Sequence, residues 1–216
     1  MLLRSMARMI AILLVGPTGS GKTPLGELLE RRGLAGRRCV HFDFGQSLRR
    51  VAAGRASAGL AEDELAVVEA SLETGALLGD EHFGIADEVL QAFLAERQAG
   101  GDDLIVLNGL PRHVGQAEAI EGMLSVQLVV NLRCAAETVL ERIASDSGGD
   151  RAGRLDDDVE SVRRRLAAFE ERTAPLLAHY ACRGARVETV DVGPTTSAED
   201  VWRQLGSLGM PHMGKG

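Results

Sequence analysis

The segment Gly16-Pro-Thr-Gly-Ser-Gly-Lys-Thr23 matches the pattern G-x-x-x-x-G-K-[ST]. An apolar run at residues 9–15 precedes it, as a buried strand would, and a helical pattern begins at Thr23. Between such a strand and helix, glycines let backbone N–H groups surround phosphate oxygens, and the helix dipole adds positive potential. The lysine bridges the outer phosphates, and the threonine hydroxyl faces Mg²⁺. The sequence therefore predicts a nucleotide-binding loop, called here the phosphate loop, formed by Gly16, Pro17, Thr18, Gly19, Ser20, Gly21, Lys22 and Thr23.

The composition favours one globular, cytoplasmic domain. A chain of 216 residues, of which 45% are hydrophobic, is long enough for one α/β domain with a full core. Its formal net charge of -7 argues against a general nucleic-acid binder, and no apolar segment is long enough to span a membrane. Cys39, Cys134 and Cys182 lie far apart with no C-x-x-C pair, which predicts reduced, mostly buried thiols.

Short apolar runs alternate with longer helical patterns along the chain. The predicted strands cover residues 9–15, 38–42, 103–108, 126–132 and 186–191. The predicted helices cover residues 23–32, 46–53, 62–72, 80–99, 115–123, 135–144, 156–180 and 197–208. This alternation predicts a parallel sheet covered on both faces, with ligands at the carboxyl ends of the strands. Pro175 should bend the longest helix, whose buried stripe is predicted to be Val159, Val162, Leu166 and Phe169.

Four further segments form an ordered set of motifs. Phe44-Gly-Gln-Ser-Leu-Arg49 is followed by a G-x-x-x-x-D-E segment within residues 73–81. Asn108-Gly-Leu-Pro-Arg-His-Val-Gly-Gln-Ala117 comes next, and Gly153-Arg-Leu-Asp-Asp157 is the last. In this order they resemble T-G-D-x-L-R, S-G-x-x-V-P-D-E, D-G-F-P-R-x-x-x-Q-A and G-R-x-D-D of the adenylate kinases. Over about residues 10–201, the chain is similar to the adenylate kinase-like nucleoside monophosphate (NMP) kinases, as a divergent member.

The resemblance implies a P-loop NTPase fold with three α/β/α layers around a five-stranded parallel sheet. Residues 1–216 would form a single domain. A helical NMP-binding insert is expected at about residues 46–79 and a short lid at about residues 145–153. The lid lacks the cysteines that hold zinc in some longer lids of the family. Closure of both parts would exclude water and so protect ATP from hydrolysis.

The resemblance also implies roles on the donor side. Lys22 should hold the β- and γ-phosphates of the co-substrate ATP, and Thr23 should ligate the cofactor Mg²⁺. Arg142 matches an arginine ahead of the family's lid and should contact the donor nucleotide together with the phosphate loop. Two further arginines should neutralise charge in the transition state. The expected catalytic residues are Lys22, Arg49, Arg112, Arg154 and Arg165.

On the acceptor side, the resemblance implies a binding site for the NMP. Arg49 and Arg112 should clamp its α-phosphate, because planar guanidinium groups bind phosphate oxygens in pairs. Gly109 and Gln116 fall where the family contacts the base, and the Gln116 amide can both donate to and accept from adenine. The expected NMP-binding residues are Phe44, Gly45, Arg49, Leu78, Gly109, Arg112 and Gln116.

The chain departs from the family pattern at four places. Asn108 replaces the strand-end aspartate that orients Mg²⁺ through water, so a neutral amide stands where a charge is expected. Phe44 replaces a small or hydroxyl residue, and its ring could stack on a base or narrow the acceptor pocket. Asp146 stands where the family commonly has arginine, a task that Arg151 could take over. Gly-Lys-Thr-Pro replaces the usual Gly-Lys-Gly-Thr in the phosphate loop.

Asp43 ends the second predicted strand beside the expected reaction cleft. Its carboxylate could restore negative charge near the metal that Asn108 does not supply. It could instead only cap the helix that is predicted to start at Gln46. Both interpretations remain open at the level of the sequence.

The chain as a whole predicts a monomeric phosphotransferase whose partners are small-molecule nucleotides. It would move the γ-phosphoryl group of Mg·ATP to an NMP, with AMP as the favoured acceptor. One alternative is a kinase of another small acceptor, since an aspartate after the second strand handles the acceptor hydroxyl in shikimate-kinase-like enzymes. The other is a degenerate nucleotide sensor without turnover, which Asn108 and Asp146 favour and the intact Lys22 disfavours.

Overall fold

The computed structural model describes residues 8–56, 58–74, 78–146 and 159–207. Five strands lie within these ranges: β1 (Met9–Val15), β2 (Cys39–Asp43), β3 (Leu104–Asn108), β4 (Leu124–Arg133) and β5 (Arg186–Asp191). They form one parallel sheet in the order β2-β3-β1-β4-β5. The predicted five-stranded parallel sheet is confirmed. Because every strand runs in the same direction, all the carboxyl ends lie at one edge of the sheet.

Helices connect the strands. They are α1 (Lys22–Arg32), α2 (Phe44–Ala52), α3 (Glu62–Thr74), α4 (Phe83–Glu96), α5 (Val114–Ile120), α6 (Ala136–Ala144), α7 (Val159–Ala168), α8 (Leu176–Cys182) and α9 (Ala198–Ser207). A 3₁₀ turn at Asp80–His82 leads into α4, and a π-helical segment at Phe169–Thr173 lies between α7 and α8. Of the helices that the structure describes, none is both long enough and apolar enough to cross a membrane.

Alternating side chains bury the sheet on both faces. In β1, Ala11 and Leu13 belong to one core cluster, whereas Ile12 and Leu14 belong to the other. The first cluster is completed by α2, α3, α4, α5 and α8, and the second by α1 and α9. This arrangement gives the three α/β/α layers that the resemblance implied. Strands that are covered on both faces are continuous apolar runs, which makes β1 recognisable in the sequence.

The same alternation sets the direction of the polar residues at the strand ends. In β2, Cys39 faces the α1 layer, so His41 and Asp43 face it too, because side chains two residues apart share a face. In β3, Leu104 and Val106 face the α1 layer, which directs Asn108 to the same side. The sheet therefore brings two polar strand ends toward the start of α1.

The prediction of one continuous helix over residues 156–180 is wrong. The helix changes from α to π geometry at Phe169–Thr173, and Pro175 is the N-cap of α8 instead of bending a longer helix. Of the expected buried stripe, Val162 is buried, Leu166 and Phe169 are half-buried, and Val159 is 55% exposed. Residues 156–158 lie outside the described ranges.

The three free cysteines differ in burial. Cys39 is buried in β2, and burial raises the pKa of its thiol to about 12. Cys134 is half-buried, and Cys182 at the end of α8 is exposed. The expectation of mostly buried thiols is therefore wrong for Cys182.

Candidate active site

The phosphate loop joins the carboxyl end of β1 to the first turn of α1. Gly19 and Gly21 have φ angles of 74° and 92°, a left-handed region that residues with a Cβ rarely adopt. At Gly16, a Cβ would lie 2.8 Å from the carbonyl oxygen of Leu132 on β4, so the loop packs tightly on the sheet. Because Gly21 is the N-cap of α1, no side chain caps the first turn, and its N–H groups suit an anion.

Lys22 folds back over this loop. Its Nζ donates hydrogen bonds to the carbonyl oxygens of Gly16 and Pro17, each at 2.7 Å. These neutral acceptors hold the ammonium group directly above the loop. A phosphate oxygen would be a charged acceptor, and charge-assisted hydrogen bonds are roughly twice as strong as neutral ones. The position of Lys22 therefore fits the binding of nucleotide phosphates.

Thr23, Asp43 and Asn108 form a hydrogen-bonded cluster beside the loop, called here the strand-end cluster. The Thr23 hydroxyl donates to Asp43 Oδ2 at 2.8 Å. The Asn108 amide Nδ2 donates to Asp43 Oδ2 at 2.8 Å and to Thr23 Oγ1 at 3.0 Å. Asp43 and Asn108 are paired positions of the parallel strands β2 and β3, which explains their contact. The other carboxylate oxygen, Asp43 Oδ1, caps α2 by accepting from Gln46 N at 2.9 Å.

The strand-end cluster fits a divalent hard cation next to nucleotide phosphates. Its hydroxyl and carboxylate oxygens are the donor atoms that Mg²⁺ prefers. Across the described ranges, no group of three or more His, Cys, Asp or Glu residues could hold a metal ion by itself. Mg²⁺ does not need such a group, because it usually binds one or two protein oxygens, several waters and the substrate phosphates. Thr23 and Asp43 are the residues that could hold it.

Arg142 joins the phosphate loop to the segment that precedes α9. Its guanidinium Nε donates to Gly19 O at 2.9 Å, and its Nη1 donates to Gly193 O, Pro194 O and Thr196 O at 2.9, 3.2 and 2.9 Å. Only 4% of the residue is exposed. A cavity of about 140 Å³ opens beside it, lined in part by Ser20, Gly21, Pro24, Val192 and Ala198. Arg142 thus forms a wall of a pocket next to the loop, where a donor nucleotide would lie.

Three of the expected acceptor residues, Gly109, Arg112 and Gln116, follow β3, and a fourth, Leu78, contacts Gln116 from the segment before α4. Gln116 is 2% exposed; its Oε1 accepts from Arg112 N at 2.8 Å, and its Nε2 donates to Leu78 O at 3.3 Å. Gly109 has a φ of 84°, and a Cβ there would lie 3.5 Å from Arg112 Nη2. The amide of Gln116 therefore connects the segment after β3 with the segment before α4.

The remaining expected acceptor residues belong to α2. Phe44 is 5% exposed and packs against Phe42 at a ring-centroid distance of 6.0 Å. Its ring is buried in the core, which fits a narrowed pocket better than a stacking surface for a base. Arg49 is exposed, and its Nη1 lies 3.6 Å from the position that a Cβ of Gly45 would take. A Cβ there would make an ordinary van der Waals contact, so the distance shows only that the guanidinium lies close to Gly45, beside the strand-end cluster.

The expected lid arginines are only partly described. Arg165 on α7 is half-buried, and its Nε donates to Ser161 O at 3.4 Å. Arg154 and Arg151 lie outside the described residues, as do residues 147–153 of the expected lid. Asp146, the last described residue before them, is exposed and has a φ of 45°.

One residue with a clear contact to the acceptor segment had no predicted role. The Thr173 hydroxyl, at the end of the π-helical segment, donates to Arg112 O at 2.8 Å. It ties the backbone of Arg112 to the π-helical segment. No motif or apolar spacing in the sequence links Thr173 to Arg112, 61 residues away.

Known proteins are similar to this chain along most of its length. The family model described as "Adenylate kinase" matches residues 14–185. An adenylate kinase of Stenotrophomonas maltophilia (strain R551-3) is 34% identical over 197 residues, which are 87% of this chain and 94% of the relative. For an adenylate kinase of Phenylobacterium zucineum (strain HLK1), the identity is 33% over 84% of this chain and 90% of the relative. An adenylate kinase of Xanthomonas campestris pv. campestris (strain 8004) is 32% identical over 90% of this chain and 96% of the relative. With this similarity along most of its length, the chain belongs to the adenylate kinase family.

Proposed function

We propose that this protein is a phosphotransferase that moves the γ-phosphoryl group of ATP to AMP and so forms two molecules of ADP. The observation that carries the proposal is the placement of two sites at the ends of neighbouring strands. The phosphate loop follows β1, and the segment with Arg112 and Gln116 follows β3, which pairs with β1. The family and its relatives named adenylate kinase support AMP as the acceptor.

On the donor side, the phosphate loop binds the phosphates of ATP and Arg142 supports the pocket for its base. Lys22 exchanges its two carbonyl acceptors for oxygens of the β- and γ-phosphates. Thr23 and Asp43 are the residues that would hold Mg²⁺, and the ion would supply positive charge beside the phosphates. Phosphoryl transfer needs little covalent help from the protein, so its main task is to place charge around the migrating group.

On the acceptor side, the guanidinium groups of Arg49 and Arg112 clamp the α-phosphate of AMP. Gln116 reads the base with its amide, in exchange for the long 3.3 Å hydrogen bond to Leu78 O. Gly109 and Gly45 lie next to these two arginines, and the φ of 84° at Gly109 favours glycine there. The buried Phe44 forms a wall of this pocket, and Leu78 contributes its carbonyl.

Two parts of the single domain are proposed to close over the substrates: the insert at about residues 46–79 and the lid at about residues 145–153. Closure brings Arg165 and Arg154 to the transferring phosphoryl group, where each neutralises developing charge. It also removes water that would otherwise accept the phosphoryl group. We further propose that the protein works as a cytoplasmic monomer.

The test is the formation of nucleoside diphosphate from Mg·ATP and each of AMP, GMP, CMP, UMP and dTMP. We expect conversion of AMP. Arg112→Ala should raise the KM for AMP by about 10- to 100-fold, since charge-assisted hydrogen bonds contribute about 1.5–3 kcal/mol. The substitution leaves the backbone contacts of residue 112 to Gln116 and Thr173 in place.

Arg203→Ala, which removes an exposed arginine of α9, is the matched control and should leave this KM unchanged. Binding of ATP without conversion of any acceptor would contradict the proposal and favour a nucleotide sensor. Conversion of an acceptor other than AMP would contradict only the choice of AMP as substrate, and the phosphotransferase activity would stand.

A further inference from the structure

We propose that Asp43, at the end of β2, supplies the carboxylate that faces the Mg²⁺ of bound Mg·ATP. The inference rests on the donor site of the proposed function, and it gives a metal-positioning role to a residue outside the expected site. Among the described residues, the Thr23 hydroxyl donates a hydrogen bond to the Asp43 carboxylate at 2.8 Å. That hydroxyl is the group of a phosphate loop that faces Mg²⁺.

Asn108 orients this carboxylate and adds no charge of its own. Its Nδ2 donates to Asp43 Oδ2 and to Thr23 Oγ1, at 2.8 and 3.0 Å. The reverse orientation of the amide would place Asn108 Oδ1 against Asp43 Oδ2, two acceptors without a proton between them. The amide therefore serves as a donor in the strand-end cluster, and the negative charge of the cluster belongs to Asp43.

The sheet register explains how a carboxylate on β2 can lie beside Thr23, where the family has a carboxylate at the end of β3. Asp43 and Asn108 are paired positions of adjacent parallel strands, whose axes lie about 4.8 Å apart. Both side chains point toward the α1 layer, where Thr23 lies in the first turn of the helix. Moving the carboxylate from one strand to its neighbour therefore keeps it beside the same hydroxyl.

The two carboxylate oxygens of Asp43 have separate contacts. Oδ1 accepts from Gln46 N at 2.9 Å and caps α2, whereas Oδ2 meets Thr23 and Asn108. A cap alone needs only one oxygen, which the side chain of asparagine also provides, and asparagine is as good an N-cap as aspartate. Asp43→Asn therefore removes the charge and keeps the cap, so it separates the two roles without unfolding α2.

The experiment measures ATP binding by calorimetry, with saturating Mg²⁺ and with a chelator, in the absence of any acceptor. The readout is the factor by which Mg²⁺ changes the Kd for ATP, and Mn²⁺ binding to the protein–ATP complex by electron paramagnetic resonance is a second readout. The variants are Asp43→Asn, the exchange Asp43→Asn/Asn108→Asp and the control Asp102→Asn. Asp102 is an exposed aspartate before β3, at the opposite end of the sheet.

We expect Asp43→Asn to reduce the Mg²⁺-dependent factor and the Mn²⁺ affinity by about 10- to 100-fold, the usual effect of losing a group that orients a metal site. The exchange variant should recover most of this loss, because it returns one carboxylate to the strand-end cluster. Asp102→Asn should behave as the wild-type protein.

Two results would overturn the inference. Mn²⁺ affinity of Asp43→Asn within twofold of the wild-type value would leave Asp43 as a helix cap. A loss that the exchange variant does not recover would show an effect of structure rather than of charge. Neither result depends on AMP. If the protein binds Mg·ATP but does not convert AMP, the proposed acceptor is wrong, and the Mg²⁺ and Mn²⁺ measurements still test the role of Asp43.

Discussion

Arg142 holds the phosphate loop and the segment before α9 together through backbone carbonyls. Its contacts run from Gly19 in the phosphate loop to Gly193, Pro194 and Thr196 before α9. The planar guanidinium presents its donors in a fixed fork, which lets one side chain satisfy acceptors on two separate segments. The shape of the cavity beside the phosphate loop therefore depends on this residue.

Arg142→Lys should lower the free energy of unfolding by about 2–4 kcal/mol, because one ammonium cannot reach both loops and leaves buried carbonyls unpaired. The Kd for ATP should rise as well. Urea denaturation and calorimetry measure the two effects. Arg133→Lys is the control: Arg133 pairs with Asp191, and both side chains are largely exposed, so little change is expected. Equal losses in the two variants would contradict a special role for Arg142.

At the scale of elements, α1 packs so closely on β2 that one helix position must be glycine. A Cβ on Gly26 would collide with the imidazole ring of His41, which is 8% exposed. Glycine inside a helix is about 1 kcal/mol less favourable than alanine, so this position gives up intrinsic helix stability for close contact. The contact keeps the start of α1 near the ends of β2 and β3.

Gly26→Ala should therefore destabilise the protein by about 1–3 kcal/mol, as overpacking does, against the intrinsic preference for alanine. The matched control is Gly84→Ala in the first turn of α4, where a Cβ would meet nothing within 4 Å. That variant should be neutral or slightly more stable. Thermal unfolding of both variants tests the difference, and a Gly26→Ala protein as stable as Gly84→Ala would contradict the proposed contact.

The elements that the sequence predicts well are those with local signals. The apolar run of β1 and the glycines of the phosphate loop depend on neighbouring residues, and both bounds of Met9–Val15 agree with the structure. The π-helical segment Phe169–Thr173 could not be predicted, because apolar spacing does not show an inserted residue. The contact from Thr173 to Arg112 joins residues 61 positions apart, and no periodic pattern in the sequence indicates it. The sequence leaves the role of Asp43 open for the same reason. Its contact with Asn108 depends on the register of two strands that are far apart in the chain.

At the scale of the whole molecule, His41 couples the stability of the fold to pH. Burial lowers the pKa of its imidazole below the ordinary value of 6.5, although the carboxylates of Asp43, Glu30 and Glu27 act in the opposite direction. Above pH 6.5, the ring is mostly neutral in both the folded and the unfolded chain. Below it, the unfolded chain takes up the proton first, so stability is lost as the pH falls.

The free energy of unfolding should therefore decrease between pH 7.5 and pH 5.5, and His41→Gln should show a smaller decrease. Urea denaturation of the two proteins at the two pH values measures the difference. Equal pH dependence in the wild-type protein and in His41→Gln would mean that other groups cause it.

The order β2-β3-β1-β4-β5 also dictates the sequence of events on the ribosome. The central strand β1 is synthesised first, yet both of its neighbours come from the later part of the chain. Thr23 and Asn108 are 85 residues apart, which takes about 4–17 s at roughly 5–20 residues per second. For those seconds, the nascent chain carries an apolar strand with no partner on either side. The strand-end cluster can assemble only once β3 has left the ribosome, so nucleotide binding cannot assist the earliest steps of folding.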